Sequence, residues 1–178
     1  AQRGLPRSIL MVTLNDIETG QPLAYMSANL LSAMRTGAMP GLTAQYLARK
    51  DSKVISLIGP GAVNKTCLMA YLSKFDGIET IKIKGSSAKS KTALEMKAFI
   101  EKEYPQIKNI IICDDLEEAV KDADIISEAV SVAHGKWPVF KPEWLKPGCV
   151  FISSGTMDMT DHTFIQKNMT KVVDNIHM

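Results

Sequence analysis

Two rhythms of apolar and polar positions divide the chain. In residues 1–50 an apolar run, Ser8-Ile9-Leu10-Met11-Val12-Thr13-Leu14-Asn15, has the character of a strand. Asp16-Ile17-Glu18-Thr19-Gly20-Gln21 supplies a turn and residues 22–26 a second strand, which together predict a β-hairpin with a loop of several residues. From Ser27 the pattern becomes helical, with Leu30, Leu31, Met34 and Ala38 at helical spacing. Gly37 and Pro40-Gly41 predict an interruption, after which residues 42–49 form a further helical stretch.

From Lys53 the rhythm changes to short apolar strands alternating with helices. Strands are predicted at Val54–Ile58, Thr80–Lys84, 109–113, 124–128 and Val150–Ser153, with a last one at 171–175. Helices fall at 62–74, 90–104 (ended by Pro105) and 116–121, the last capped by Asp114 or Asp115. Strand and helix alternating at this spacing predict an α/β fold with a parallel sheet and helices on its faces. Such a sheet binds ligands outside the carboxyl ends of its strands, which is where chemistry is sought.

The first of these strands runs into Ile58-Gly59-Pro60-Gly61-Ala62-Val63-Asn64, and a helix follows at once. Gly59 can adopt the backbone angles of a tight turn. Gly61 has no side chain, so a pyrophosphate can approach the main chain there. The free N–H groups opening the helix, at Ala62, Val63 and Asn64, would meet the phosphates. A third glycine or alanine usually follows, where this chain has Asn64. A G-x-G pair alone is an ordinary strand-to-helix turn; the strand before it, the helix after it and the units that follow point to a dinucleotide cofactor. The second strand ends in Lys84-Gly85-Ser86-Ser87-Ala88-Lys89 rather than in the carboxylate that would bond the ribose 2′-OH of NAD. With Lys84, Ser86 and Ser87 available to a 2′-phosphate, the residues favour NADP(H) over NAD(H); the alternative is a solvated basic loop.

Composition narrows the partners. Hydrophobic residues make up 46% of the 178 and charged residues 22%, the balance of a globular chain. The net charge of +2, from 21 basic and 19 acidic residues without a single-sign block, argues against nucleic acid as a partner. No run approaches the ~20 apolar residues of a membrane span, so no membrane partner is expected. Cys67, Cys113 and Cys149 are odd in number and far apart, which suits small buried thiols in a cytoplasmic protein; the start of the chain has no apolar signal core. No residues carry metal-ligand spacing. His134 and His162 titrate near neutrality but are read as exposed loop histidines.

Four motifs in order carry a resemblance. The segments Asp16-Ile17-Glu18-Thr19-Gly20-Gln21-Pro22-Leu23-Ala24, Arg35-Thr36-Gly37-Ala38, Tyr46-Leu47-Ala48-Arg49 and Gly59-Pro60-Gly61 match D-x-x-T-G-x-P-L-A, R-T-x-A, Y-L-A-R and G-x-G. The chain thereby resembles the ornithine cyclodeaminase/mu-crystallin family, and the agreement continues from Trp144-Leu145-Lys146-Pro147-Gly148 to Asp158. The resemblance implies a Rossmann-type parallel sheet in residues 51–178. It implies that residues 1–50 are part of a second α+β domain for dimerisation and substrate, plus a connecting helix, with the chain truncated at both ends against the family plan. It implies a homodimer acting on a small amino acid or imino acid with NAD or NADP. Arg35 takes the place of the arginine that binds the substrate carboxylate, Thr36 that of a residue helping to hold the cofactor phosphate, and Asp158 that of the aspartate acting on the substrate amine. After Asp158 the chain departs from the cyclodeaminase pattern, with Met159-Thr160-Asp161-His162.

The chemistry so implied begins with hydride removal from the α-carbon and an imine, with Arg35 holding the carboxylate and Asp158 relaying a proton. In an ornithine cyclodeaminase-like lyase the hydride returns after ammonia leaves. In an amino-acid dehydrogenase or ketimine reductase the changed cofactor leaves instead. A non-catalytic NADP-binding, crystallin-like protein is the alternative from another class.

Overall fold

The computed structural model describes residues 9–132 and 135–173. It opens with a hairpin of β1 (Met11–Asn15) and β2 (Pro22–Ser27), paired antiparallel with Met11 opposite Ser27. Its turn is held by Asp16, whose Oδ1 accepts from the Thr19 N–H and hydroxyl, both at 2.8 Å. Gly20 sits at φ +71°. The D-x-x-T-G motif is therefore turn chemistry: a carboxylate closing the loop on itself and a glycine at a left-handed angle.

One helix follows, α1 (Asn29–Leu47), and it runs through Gly37 and Pro40-Gly41 without a break. The expected interruption is corrected by packing. A Cβ on Gly37 would collide with the Thr66 hydroxyl, and one on Gly41 would lie 2.5 Å from the Ala70 Cβ, both on the facing helix α2 (Ala62–Leu72). The small residues that weaken α1 locally are the ones that let α2 approach, and the Thr66 hydroxyl reaches the Ala33 carbonyl at 2.8 Å across the crossing. Burial of Pro40 in that contact outweighs its missing N–H.

The main sheet is five-stranded and parallel. It contains β3 (Val54–Ile58), β4 (Thr80–Lys84), β5 (Asn109–Ile112), β6 (Ile125–Glu128) and β8 (Val150–Ser153), in the order β5-β4-β3-β6-β8. The helices α3 (Lys91–Glu103) and α4 (Leu116–Val120) complete the crossovers. Ser90 and Asp115 cap them, each accepting from the backbone N–H three residues on. The order reverses direction between β3 and β6, the doubly wound arrangement of a dinucleotide-binding domain. Its core lies in two layers. Leu57, Leu68, Tyr71, Ile83, Met96 and Ile100 fill the side of α1, α2 and α3, while Ile58, Cys113, Val120, Ile126, Phe140 and Met159 fill the other.

Beyond β6 the sequence reading missed four short elements, one of them a 3-10 turn at Pro142–Trp144. Two-residue strands β7 (Val139–Phe140) and β9 (Asp158–Met159) pair in parallel, and α5 (His162–Asn168) follows. No strand forms at 171–173, and residues 174–175 of the expected last strand lie outside the described residues. At the amino end of β6, Asp124 gathers the bottom of the sheet. Its carboxylate accepts from the Lys53 and Val54 N–H groups (2.8 and 3.0 Å), Arg49 (3.0 Å) and Lys146 (2.6 Å). Burial would raise this carboxyl, but Lys146 and the two N–H groups outweigh it and leave it below the ordinary 3.8. The arginine of Y-L-A-R thus serves structure.

Candidate functional site

At the carboxyl end of β3 the chain turns through Gly59, at φ +80°, into α2. A Cβ on Gly59 would fall 2.8 Å from the Ala129 carbonyl oxygen, so this turn presses directly on the exit of β6. Gly61 is different: a Cβ there would meet nothing within 4 Å. The main chain at Gly61 is open on the face where α2 begins. Among the described residues no side chain caps α2, which leaves the N–H groups of its first turn for a ligand. This geometry fits a dinucleotide pyrophosphate.

Asn64 is fully buried and faces inward. Its Nδ2 reaches the carbonyls of Ile58 (2.8 Å), Gly59 (3.0 Å) and Ser127 (3.2 Å), and its Oδ1 accepts from the Ser127 hydroxyl at 2.7 Å. Ser127 accepts in turn from Tyr71 at 2.9 Å. Burial pushes the Tyr71 phenol far above its ordinary value, so it stays a neutral donor. The residue that departs from the usual small third position is therefore a clamp joining the glycine turn to β6.

Lys84 closes β4 next to this turn, with its carbonyl accepting from the Gly59 N–H at 2.9 Å. Its ammonium folds back on the Gly85 carbonyl at 2.6 Å. Ser86, Ser87 and Lys89 are exposed. The loop is pinned by Ser90, whose N–H donates to the Ser87 carbonyl at 3.0 Å.

Arg35 and Thr36 sit on the α1 face that borders an open groove of about 1090 Å³ along β8, with Ser153 and Ser154 opposite. Arg35 is exposed and makes no ion pair among the described residues. A smaller cavity of about 460 Å³ opens at the switch between β3 and β6, lined by Val63, residues 129–132, Trp137 and residues 154–156. Ser154 borders both spaces.

Asp158 lines neither space; it lies in β9 and is hydrogen-bonded by the side chain of Trp137, which borders the smaller cavity. Nε2 of His162 lies 2.7 Å from its Oδ1. The carboxyl is held below 3.8 chiefly by His162, then by the Met159 N–H, which donates at 2.8 Å. His162 is exposed as expected, but it opens α5 and has a carboxylate partner, where a loop histidine was expected. Asp161 caps α5 by accepting from Thr163 and Phe164, and the one-turn spacing returns the His162 ring to Asp158. His134 lies outside the described residues. The three cysteines are thiols whose burial raises them, Cys67 and Cys113 to about 11. Among the described residues no cluster could hold a metal, and no helix is long and apolar enough to cross a membrane.

Sequence reasoning passed over Glu128. It ends β6 fully buried, its Oε1 accepting from the Val130 N–H at 2.6 Å and its Oε2 from the Ser153 hydroxyl at 2.7 Å. A charged residue closing the short strand Ile125-Ile126-Ser127 at the ligand end of the sheet was the available signal.

The model of the ornithine cyclodeaminase/mu-crystallin family matches residues 1–177. A Staphylococcus aureus N-((2S)-2-amino-2-carboxyethyl)-L-glutamate dehydrogenase is 28% identical over 98% of this chain and 50% of its own. The solved Thermococcus litoralis Δ1-pyrroline-2-carboxylate reductase in complex with NADH and L-proline is 35% identical. It has a TM-score of 0.74 and is matched over 86% of this chain and 45% of its own. An archaeal alanine dehydrogenase dimer with bound NAD is 33% identical, with a TM-score of 0.70, over 84% of this chain and 43% of its own. The chain spans about half the length of these proteins.

Proposed function

Because the chain belongs to the ornithine cyclodeaminase/mu-crystallin family, we propose that its protein is an NAD(P)-dependent enzyme acting on a small amino or imino acid. The observation that carries this is the open, uncapped turn at Gly61 at the ligand end of a doubly wound sheet. When bound, the cofactor supplies hydride transfer to or from the α-carbon. Residues of this chain do the rest. The α2 N-terminus takes the pyrophosphate through the backbone of Gly61, Ala62, Val63 and Asn64. Arg35 offers two parallel N–H groups to the substrate carboxylate, and Thr36 lies one residue on along the same groove. Asp158, kept ionised by His162, holds or relays the proton of the substrate amine.

Residues 51–178 form the dinucleotide-binding domain in this reading, and residues 1–50 belong to a substrate and dimerisation domain. The exposed Leu10, Met11, Leu14, Leu23, Tyr25 and Met26 on the two sides of the hairpin, and Leu30, Leu31 and Met34 of α1, support a homodimer in which this apolar surface is covered. Buried, raised thiols suit a cytoplasmic setting. Exposed Ser86, Ser87 and Lys89, with no carboxylate in that loop, support NADP(H) over NAD(H) even though Lys84 turns to Gly85. The altered continuation after Asp158 supports a dehydrogenase or ketimine-reductase outcome beside the cyclodeaminase one.

The experiment is to follow nicotinamide absorbance with the full protein, NADPH or NADH, and cyclic imino acids or α-keto acids with an amine. A parallel reaction with L-ornithine and oxidised cofactor is assayed for proline and ammonia. Net cofactor turnover assigns an oxidoreductase, and proline without net turnover assigns a cyclodeaminase. Cofactor binding with neither reaction overturns the enzymatic reading in favour of a binding protein.

A further inference from the structure

We propose that the Glu128 carboxylate is a charge set behind the wall of the cofactor cleft that biases the protein toward the oxidised, cationic nicotinamide. The inference rests on the dinucleotide reading above. Glu128 is the last residue of β6, beside the point where the strand order reverses and where such sheets seat their ligands. Val130, whose N–H donates to Oε1, and Gly155 both line the cavity at that switch. A Cβ on Gly155 would fall 2.7 Å from Oε1 and 2.7 Å from the Val130 carbonyl oxygen. The Gly155 wall therefore interposes no side chain between carboxylate and cavity.

Both Glu128 oxygens have a protein donor within hydrogen-bond distance, the Val130 N–H at Oε1 and the Ser153 hydroxyl at Oε2, a setting that can hold a carboxylate. Among the described residues no lysine, arginine or histidine lies within ion-pair distance of it. A buried charge with two hydrogen bonds but no counter-ion is costly. The oxidised nicotinamide ring is a cation and the reduced ring is neutral, so only the oxidised form supplies the missing counter-charge. At the effective dielectric of a partly buried site, one unit charge across a single wall layer shifts the relative affinity by about tenfold. The effect is independent of the 2′-phosphate. It favours the cofactor state that accepts hydride from the substrate α-carbon.

The test is the ratio of dissociation constants for oxidised and reduced cofactor, measured by calorimetry on the full protein without substrate. In Glu128→Gln the amide oxygen still accepts from the Val130 N–H, the amide NH2 donates to the Ser153 hydroxyl in the reversed sense, and the charge is lost. The oxidised form is expected to weaken about tenfold relative to the reduced form. Glu128→Thr, a strand-compatible neutral side chain, is expected to shift the ratio the same way. Glu128→Asp, which keeps the charge, is expected to stay within about threefold of the wild-type ratio even if both affinities fall. An unchanged ratio in a folded neutral variant overturns the proposal, as does loss of folding in both neutral variants, since Glu128 would then serve structure alone. If the wild-type protein binds neither form, the dinucleotide reading itself fails; if it binds both and the ratio does not move, only this inference fails.

Discussion

A third glycine or alanine in a dinucleotide turn lets helix and strand pack closely, and Asn64 achieves the same closeness by bonding instead. Its amide is spent on the Ile58, Gly59 and Ser127 carbonyls and on the Ser127 hydroxyl. Sequence alone shows Asn64 as a departure, because Ser127, which takes two of its four bonds, lies on β6, more than sixty residues on. Arg35 presents the opposite case: an exposed helix arginine that only its motif distinguishes. The role proposed for it predicts that Arg35→Ala raises the KM for a carboxylate substrate about thirtyfold, the worth of a charge-assisted hydrogen-bond pair, with cofactor affinity unchanged. Steady-state kinetics beside cofactor titration checks this. At Asp158, the His162 contact keeps the carboxyl below 3.8. His162→Gln removes that stabilisation of the charged form, so the Asp158 pKa rises. The acid limb of the pH profile of kcat/KM should therefore move to higher pH. A limb that stays in place would show that Asp158 is not the titrating group.

At the scale of elements, the crossing of α1 and α2 joins the hairpin to the sheet. Gly37→Val puts a branched side chain where even a Cβ meets the Thr66 hydroxyl. It is expected to cost about 2–3 kcal/mol in denaturant unfolding, whereas Gly20→Ala, in open space, costs only the strain of its left-handed angle. The same crossing shows where local reasoning stops. β3, β4 and β8 are legible to the residue because short apolar runs end in turn signals. The continuity of α1 is not, because glycine and proline lower helix propensity locally while the compensating contact is with a helix distant in sequence. β7, β9 and α5 escape for a related reason: two-residue strands carry no period, and α5 depends on a cap and one turn of contacts.

For the molecule as a whole, the two ends of the sheet divide the work. The amino end is held by Asp124, the carboxyl end carries the glycine turn, Glu128 and the smaller cavity, and the open groove runs the length of β8. Asp124→Asn should destabilise the fold by about 1–2 kcal/mol, since it removes the charge of a buried carboxylate that the partly exposed Lys146 and Arg49 share. The folded Asp124 pKa is depressed, so its contribution is complete above the ordinary 3.8 and is lost as pH falls through the lower folded value. Acid unfolding of the wild type, compared with an Asp124→Asn variant that lacks this pH dependence, checks the sign. The four motifs divide in the same way. D-x-x-T-G and Y-L-A-R are explained by turn and ion-pair chemistry, G-x-G by ligand access, and R-T-x-A by both a helix crossing and a groove.

The central claim is that a dinucleotide pyrophosphate lies against the main chain at Gly61, and Gly61→Val tests it most directly. Gly61 has φ −93°, which any residue adopts, and open space where its Cβ would be. The substitution should therefore leave thermal stability near wild type while filling the approach of the phosphates. Titration of the full protein with NADPH and NADH should show binding in the wild type and a loss of about a hundredfold or more in the folded variant, the cost of excluding several charge-assisted hydrogen bonds. Equal affinity in the two proteins would contradict the account.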